Sequence, residues 1–306
     1  MSGDPPGRCV IVGCGYVGTR LARSWRAAGG EVDAIVRTVA SAGRLAEQGI
    51  RAVAMDLDGL QSNLPPMADA WLYYLVPPPP TGQGDDRIRG FLAALDRASA
   101  PRGIVLLSTT GVYGDCDGAW IDESTPARPQ VDRARRRLDA ETSVREWAGR
   151  HEVPVYILRV PGIYGPGRLP LARLRAGTPV LRESESPWSN RVHVDDLVMA
   201  AMAVPKHGRP GAVYNISDGH PGTMTDYFNR VADAAGLPRP PQVDLETARR
   251  EFKPGMLSYL AESKRIDNTR MRAELGVAPR YPDLETGLPA SLGEGEGEGE
   301  GEGDRQ

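Results

Sequence analysis

The sequence predicts an α/β protein built on a doubly wound parallel sheet. Three observations carry that prediction. Short apolar runs alternate with helical patterns from Arg8 to about Arg150, a glycine-rich turn follows the first run directly, and the alternation breaks up beyond Pro161. Arg8–Val12 is a β-branched run ended by Gly13. Val17, Leu21 and Trp25 then recur at four-residue spacing, the mark of one helix face, and Gly29-Gly30 closes that helix. Glu31–Val36 and Arg51–Met55 read as the second and third strands. Ala70–Val76 is a buried fourth, cut off by Pro77–Pro80. A helix over Phe91–Ala98, a strand over Gly103–Leu107, a long helix ending near Arg150 and a strand over Val153–Leu158 continue the series.

After Pro161 the spacing predicts helices over Leu169–Arg175, Asp195–Val204 and Thr225–Ala235, with a strand over Ala212–Ile216. The expected division is therefore a first domain over 1–160 and a smaller mixed lobe over 161–292, threaded back onto the first. A Gly-Glu tail over 293–306 has no apolar residue to bury.

Composition narrows the function classes. The chain has 306 residues, of which 40% are hydrophobic, enough for a sizeable core. A formal net charge of −3 argues against a nucleic-acid partner. No apolar run approaches membrane-spanning length, and Met1–Arg8 lacks the apolar stretch of a signal peptide, so a cytoplasmic protein is expected. Cys9, Cys14 and Cys116 are odd in number and scattered, and the four histidines make no ligand spacing with them; no disulfide framework and no metal site are expected.

The motif richest in chemistry is Gly13-Cys14-Gly15-Tyr16-Val17-Gly18. Set between a strand and a helix, and followed by a second strand, a G-x-G-x-x-G is the fingerprint of dinucleotide binding. Gly13 allows the tight turn, Gly15 lets the backbone approach a pyrophosphate, and Gly18 lets the helix pack on the sheet. Tyr16 and Val17 complete the loop, whose helix N-terminus offers free N–H groups to phosphates. At the end of the second strand Arg37 stands where NAD-binding proteins carry a carboxylate. Asp33 lies too early in the strand to serve. The arginine suits a 2′-phosphate, with Arg44 in support, so NADP is favoured and NAD stays open.

Five ordered segments extend this reading: Gly13–Gly18, Leu107–Gly114, Leu158–Gly167, Asn190–Leu197 and Tyr214–Asp218. Together they resemble the short-chain dehydrogenase/reductase superfamily, in particular its extended and atypical branches of epimerases and dehydratases, and the resemblance spans nearly the whole chain to Leu292. It implies a Rossmann-type domain, a nicotinamide cofactor and a substrate that is small or nucleotide-linked. A homodimer is compatible with it. Extended members usually carry a further glycine where Val12 stands, so the loop looks like the atypical branch.

The same resemblance assigns roles. Thr109 or Thr110 matches the hydroxyl that hydrogen-bonds the reacting oxygen. Tyr113 resembles a tyrosine on the substrate side and is the surviving candidate for proton transfer. Pro161 would contact the nicotinamide side, Tyr164 would lie beside substrate or cofactor, and Arg191 would reach a substrate phosphate. The family's Tyr-x-x-x-Lys is missing: Lys206, Lys253 and Lys264 are the chain's lysines, and none follows a tyrosine at that spacing. If Glu141 matches the glutamate that follows the lysine, Arg137 takes the lysine's place and Arg133 the tyrosine's. Arginine supplies fixed charge but exchanges no proton near neutrality. Arg137 thus remains a candidate for holding the cofactor ribose. The reading is an NAD(P)-dependent oxidoreductase or epimerase acting on a hydroxyl or carbonyl. The open alternative is a catalytically silent NADP(H)-binding sensor or interaction module, and a hydroxyacid-type dehydrogenase ranks last.

Overall fold

The computed structural model describes residues 7–59, 64–95 and 100–293. Seven strands form the central sheet: β1 (Arg8–Val12), β2 (Glu31–Val36), β3 (Arg51–Ala54), β4 (Trp71–Tyr74), β5 (Gly103–Thr109), β6 (Val155–Val160) and β7 (Val213–Asn215). Their order is β3-β2-β1-β4-β5-β6-β7, and every neighbouring pair is parallel. The sequence therefore located every strand of this sheet to within two residues at most boundaries.

Two-residue periodicity splits these strands between two apolar layers. Cys9, Ile11, Trp71, Tyr73 and Val105 face one side, where helix α1 (Tyr16–Ala27), α2 (Val39–Glu47) and a later helix over Val194–His207 supply Leu21, Trp25, Leu45 and Leu197. Val10, Val12, Leu72, Tyr74, Ile104 and Leu106 face the other, against α3 (Asp86–Ala94) and α4 (Asp132–His151), which supply Phe91, Ala140, Val144 and Trp147. Strands buried on both faces read as continuous apolar runs, the pattern that predicted them.

The helix predicted from Phe91 begins earlier, at Asp86, because Asp85 caps it: its Oδ1 accepts the Ile88 N–H at 3.0 Å. Residues 96–99, its expected end, lie outside the described residues. The helix expected from Asp195 begins at Val194, capped by His193 Nδ1 accepting the Asp195 N–H at 3.2 Å. It also runs on to His207 through Pro205, beyond the expected end at Val204.

Beyond Pro161 the chain divides its elements between two places. The helix over Val194–His207 and strand β7 belong to the sheet and its layers. Helices over Leu171–Arg175, Met224–Ala234 and Leu284–Gly293 instead enclose a satellite core containing Leu174, Val180, Tyr227, Phe228 and Leu288. The Gly-Glu tail from 294 onward lies outside the described residues. Among those described, no helix is long and apolar enough to cross a membrane.

Candidate functional site

Every strand of the parallel sheet ends at one edge, which gathers Gly13, Arg37, Val76, Thr109 and Pro161. Ligands bind at that edge in open α/β sheets. The turn after β1 is shaped by close packing. Gly13 has φ +87°, and a methyl there would lie 2.8 Å from Val76 Cγ2 and 2.9 Å from its backbone nitrogen. A methyl on Gly18 would stand 3.0 Å from Gly13 O and 3.2 Å from Ile11 Cγ2, which is the close helix–sheet packing the third glycine serves. Gly15 is different: it is exposed, and a methyl there would meet nothing within 4 Å. The Gly15 cap of α1 has no side-chain hydrogen bond, and the first turn carries no acidic residue. Open space over a helix N-terminus with uncapped N–H groups fits a pyrophosphate.

Tyr16 and Val17 support this turn from beneath. Val17 packs on the core, so only its backbone can serve the loop. The Tyr16 hydroxyl donates to Pro166 O at 3.0 Å, and Arg20 and Arg168 lie over its ring. This contact ties the turn to the Gly165-Pro166-Gly167 loop, where a methyl on Gly165 would lie 2.7 Å from the Tyr16 hydroxyl.

Arg37 is exposed at the end of β2 and makes no hydrogen bond or ion pair among the described residues. Beside it Thr38 caps α2 through Ser41, and Arg44 donates to Ser41 Oγ at 2.9 Å. Asp33 is committed elsewhere, pairing with Arg8 at 2.7 Å and Arg51 at 2.9 Å near the opposite edge of the sheet.

Two hydroxyls follow β5, and burial separates them. Thr110 is 6% exposed, whereas Thr109 is partly exposed, with its Oγ1 accepting the Gly111 N–H at 3.2 Å. A methyl at Gly111 would lie 3.5 Å from Thr109 Cγ2 and 3.8 Å from Ala134 Cβ, so Gly111 lies beside both Thr109 and the first turns of α4. Tyr113 is 1% exposed, its hydroxyl donates to Asn215 Oδ1 at 2.8 Å, and Arg159 covers its ring at 4.6 Å. Burial pushes its phenol up, away from the neutral range a proton donor needs.

Helix α4 is fixed to the sheet by a buried ion pair. Arg159 Nη2 donates to Glu141 Oε2 at 2.7 Å and Nε to Oε1 at 3.1 Å, while Ser108 Oγ donates to Oε1 at 2.5 Å. One turn earlier Arg137 Nη1 donates to Val76 O at 3.1 Å, beside the contact that shapes Gly13. Burial holds the Arg137 guanidinium below its usual range, opposed by Asp85, Tyr74 and Glu141.

Tyr164 is fully buried in the satellite core and its hydroxyl donates to Asp283 O at 3.2 Å. Arg191 stacks on Tyr227 at 4.2 Å and donates to Asn190 O at 2.8 Å and Met224 Sδ at 3.3 Å. No carboxylate lies within ion-pair distance of it among the described residues, and burial holds its guanidinium down. Asp218, 3% exposed, faces Arg191 and His220, and burial pushes its carboxyl up to about 7. No group of three or more metal-type side chains occurs among the described residues.

Sequence reasoning missed a cavity of about 600 Å³ between the Pro80–Gly82 loop, the start of α4 and a helix over Pro254–Leu260. Arg133 and Arg136 line it, opposite Ser258 and Tyr259. The arginine run was visible in the sequence, but no signal placed residues 258 and 259 against it.

The fold and this edge are those of a Rossmann-type α/β protein with a seven-stranded parallel sheet. The chain belongs to the NAD-dependent epimerase/dehydratase family, whose sequence model matches residues 80–217. It is 30% identical over 294 residues to the protein YeeZ of Escherichia coli K12, covering 90% of this chain and 97% of that one. A functionally unknown conserved protein from Silicibacter pomeroyi superposes with a TM-score of 0.81 at 31% identity, over 95% of this chain and 100% of its own. The UDP-glucuronic acid 4-epimerase of Bacillus cereus, solved with UDP-glucuronic acid and NAD, shares the fold. Its TM-score is 0.72 at 17% identity, over 93% and 97% of the two chains.

Proposed function

We propose that this protein binds NADP(H) at the β1–α1 turn and oxidises or reduces a hydroxyl or carbonyl of a nucleotide-linked or small substrate. The observation that carries the reading is Gly15: an exposed residue without a side chain, at an uncapped helix N-terminus, on the same sheet edge as Thr109. Backbone N–H groups of this turn would hold the pyrophosphate, and Arg37 with Thr38, Ser41 and Arg44 would hold a 2′-phosphate. Arg137, at the Val76 carbonyl, would face the nicotinamide-side ribose, with Pro161 bounding that end. When bound, the nicotinamide supplies the acceptor or donor of hydride. Thr109 Oγ would orient the reacting oxygen, and Arg191 would reach a phosphate of the substrate. The B. cereus neighbour, with its nucleotide sugar and NAD, supports this substrate class.

Cofactor choice gives the test. A charge-assisted contact from Arg37 contributes ~1.5–3 kcal/mol, so NADPH should bind about tenfold or more tightly than NADH. Arg37→Ala should remove that preference and leave NADH binding unchanged. Equal affinity of the unaltered protein for both would overturn the NADP assignment.

One observation favours a second reading, a silent NADP(H)-binding sensor. No tyrosine of the chain is followed by a lysine at the Tyr-x-x-x-Lys spacing, and Tyr113 turns its hydroxyl inward to Asn215. Nicotinamide absorbance, followed with UDP-glucose, UDP-glucuronic acid and simple carbonyl substrates, separates the two. Turnover that falls in Thr109→Ala supports the enzyme. Bound cofactor with no turnover on any of them supports the sensor.

A further inference from the structure

Four arginines crowd the first turns of α4, and the structure treats them differently. Arg135 points outward and pairs with Asp132 at 2.7 Å. Arg137 turns to the Val76 carbonyl. Arg133 and Arg136 line the cavity beside the Pro80–Gly82 loop, and their charges are poorly balanced. Arg136 is 7% exposed, its Nη1 donates to Gly82 O at 2.6 Å, and its Nε is buried without a hydrogen-bond partner. No carboxylate lies within ion-pair distance of it among the described residues. Arg133 bonds Ser258 Oγ and lies over the Tyr259 ring at 3.8 Å. Glu262, its nearest carboxylate, is 3.9 Å away and already engaged by Lys264 at 2.8 Å.

A buried guanidinium without a counter-charge is costly, and an anion brought against it would offset that cost. The cavity has room for more than a small ion, and Val131 and the exposed Tyr259 ring give it an apolar wall. We infer that this cavity is a binding site for an oxyanion group, a carboxylate or phosphate attached to a ring, with Arg133 and Arg136 as its cationic walls. This deepens the proposed function and rests on it for one step only. The Thr109–Gly111 turn packs against Ala134, so an anion held here would anchor the far end of a substrate whose reacting oxygen lies at Thr109.

The test is read without turnover or cofactor. Benzoate and phenyl phosphate are titrated into the full chain by calorimetry, with benzyl alcohol as the neutral control. Binding of at least one anion, with none of the alcohol, is the expected result, and the tighter anion names the source. Arg136→Met keeps the length of the side chain and removes its charge. It should weaken anion binding at least tenfold, while its melting temperature without ligand stays at or above that of the unaltered chain, because an uncompensated charge is gone. Arg133→Met should weaken binding similarly. Arg136→Lys should retain part of it, which covers the case of a Met variant that folds poorly. Absence of binding by either anion would overturn the inference, as would unchanged affinity in folded Arg133 and Arg136 variants. NADPH titrated into the same variants should bind normally. Loss of anion binding with normal NADPH binding concerns this cavity alone, whereas failure of NADPH to bind the unaltered chain strikes the proposed function itself.

Discussion

The β1–α1 turn and the first turns of α4 lie at the same edge of one sheet, yet they are built on opposite principles. The turn is made by what its residues lack. A methyl on Gly13 would collide with Val76, one on Gly18 would press on Ile11, and Gly15 leaves open space. The α4 turns are made by long charged side chains whose direction depends on what packs opposite. Arg135, Arg136 and Arg137 are consecutive and identical, and they end at a surface aspartate, the Gly82 carbonyl and the Val76 carbonyl just past β4. A site defined by missing side chains has one workable sequence, whereas a site defined by arginines can be rewired by its neighbours.

If side chains hold the α4 region, removing its buried anchor should have the largest effect. Arg159→Ala leaves Glu141, 2% exposed, with an uncompensated charge, and should destabilise the fold by ~3–5 kcal/mol in denaturant titration. A loss under ~1 kcal/mol would mean that α4 is held by apolar packing alone.

The loop after β7 extends the comparison to pH, since there too a buried side chain sets the behaviour. The Asp218 carboxyl is raised from 3.8 to about 7 by burial, more than His220 and Arg191 lower it. Between those two values the unfolded chain releases a proton that the folded chain keeps, so stability falls as pH rises from about 4 to about 7 and then levels off. The loss is at most ~4 kcal/mol for a shift of this size. Asp218→Asn keeps an acceptor for the His220 N–H and should flatten this part of the stability–pH curve. A curve of unchanged slope would remove Asp218 as its cause.

Tyr113→Phe is the smallest change and sharpens the contrast most finely. Losing the hydrogen bond to Asn215 should cost ~1 kcal/mol of stability. Any turnover found with a working substrate should stay within about threefold of the unaltered protein, where loss of a general acid costs ~10²–10⁴-fold. A loss in that range would return Tyr113 to the mechanism.

What the sequence made legible follows the same division. Strands buried on both faces announced themselves as apolar runs, and Gly13 and Gly18 marked a turn because close packing leaves no room for a side chain at either. Arg37 was placed just past the end of a strand, and it is exposed there. Tyr113 and Tyr164 were named from their motifs, and a motif records a residue's type and position but not where its hydroxyl turns. Tertiary packing settled that, drawing Tyr113 to Asn215, about a hundred residues away, and Tyr164 into the satellite core. Arg136 and Tyr259 were illegible together for the same reason: they meet across a cavity formed by segments with no local relation.

The central claim is that the β1–α1 turn holds the dinucleotide through its bare backbone, and calorimetric titration of NADPH into Gly15→Val tests it most directly. A methyl at Gly15 meets nothing within 4 Å, so the variant should keep the circular-dichroism spectrum and melting temperature of the unaltered protein. The valine side chain would fill the space over the helix N-terminus, and NADPH affinity should fall about a hundredfold or more, on the order of 2.8 kcal/mol. A folded Gly15→Val protein that binds NADPH as tightly as the unaltered chain would contradict the account.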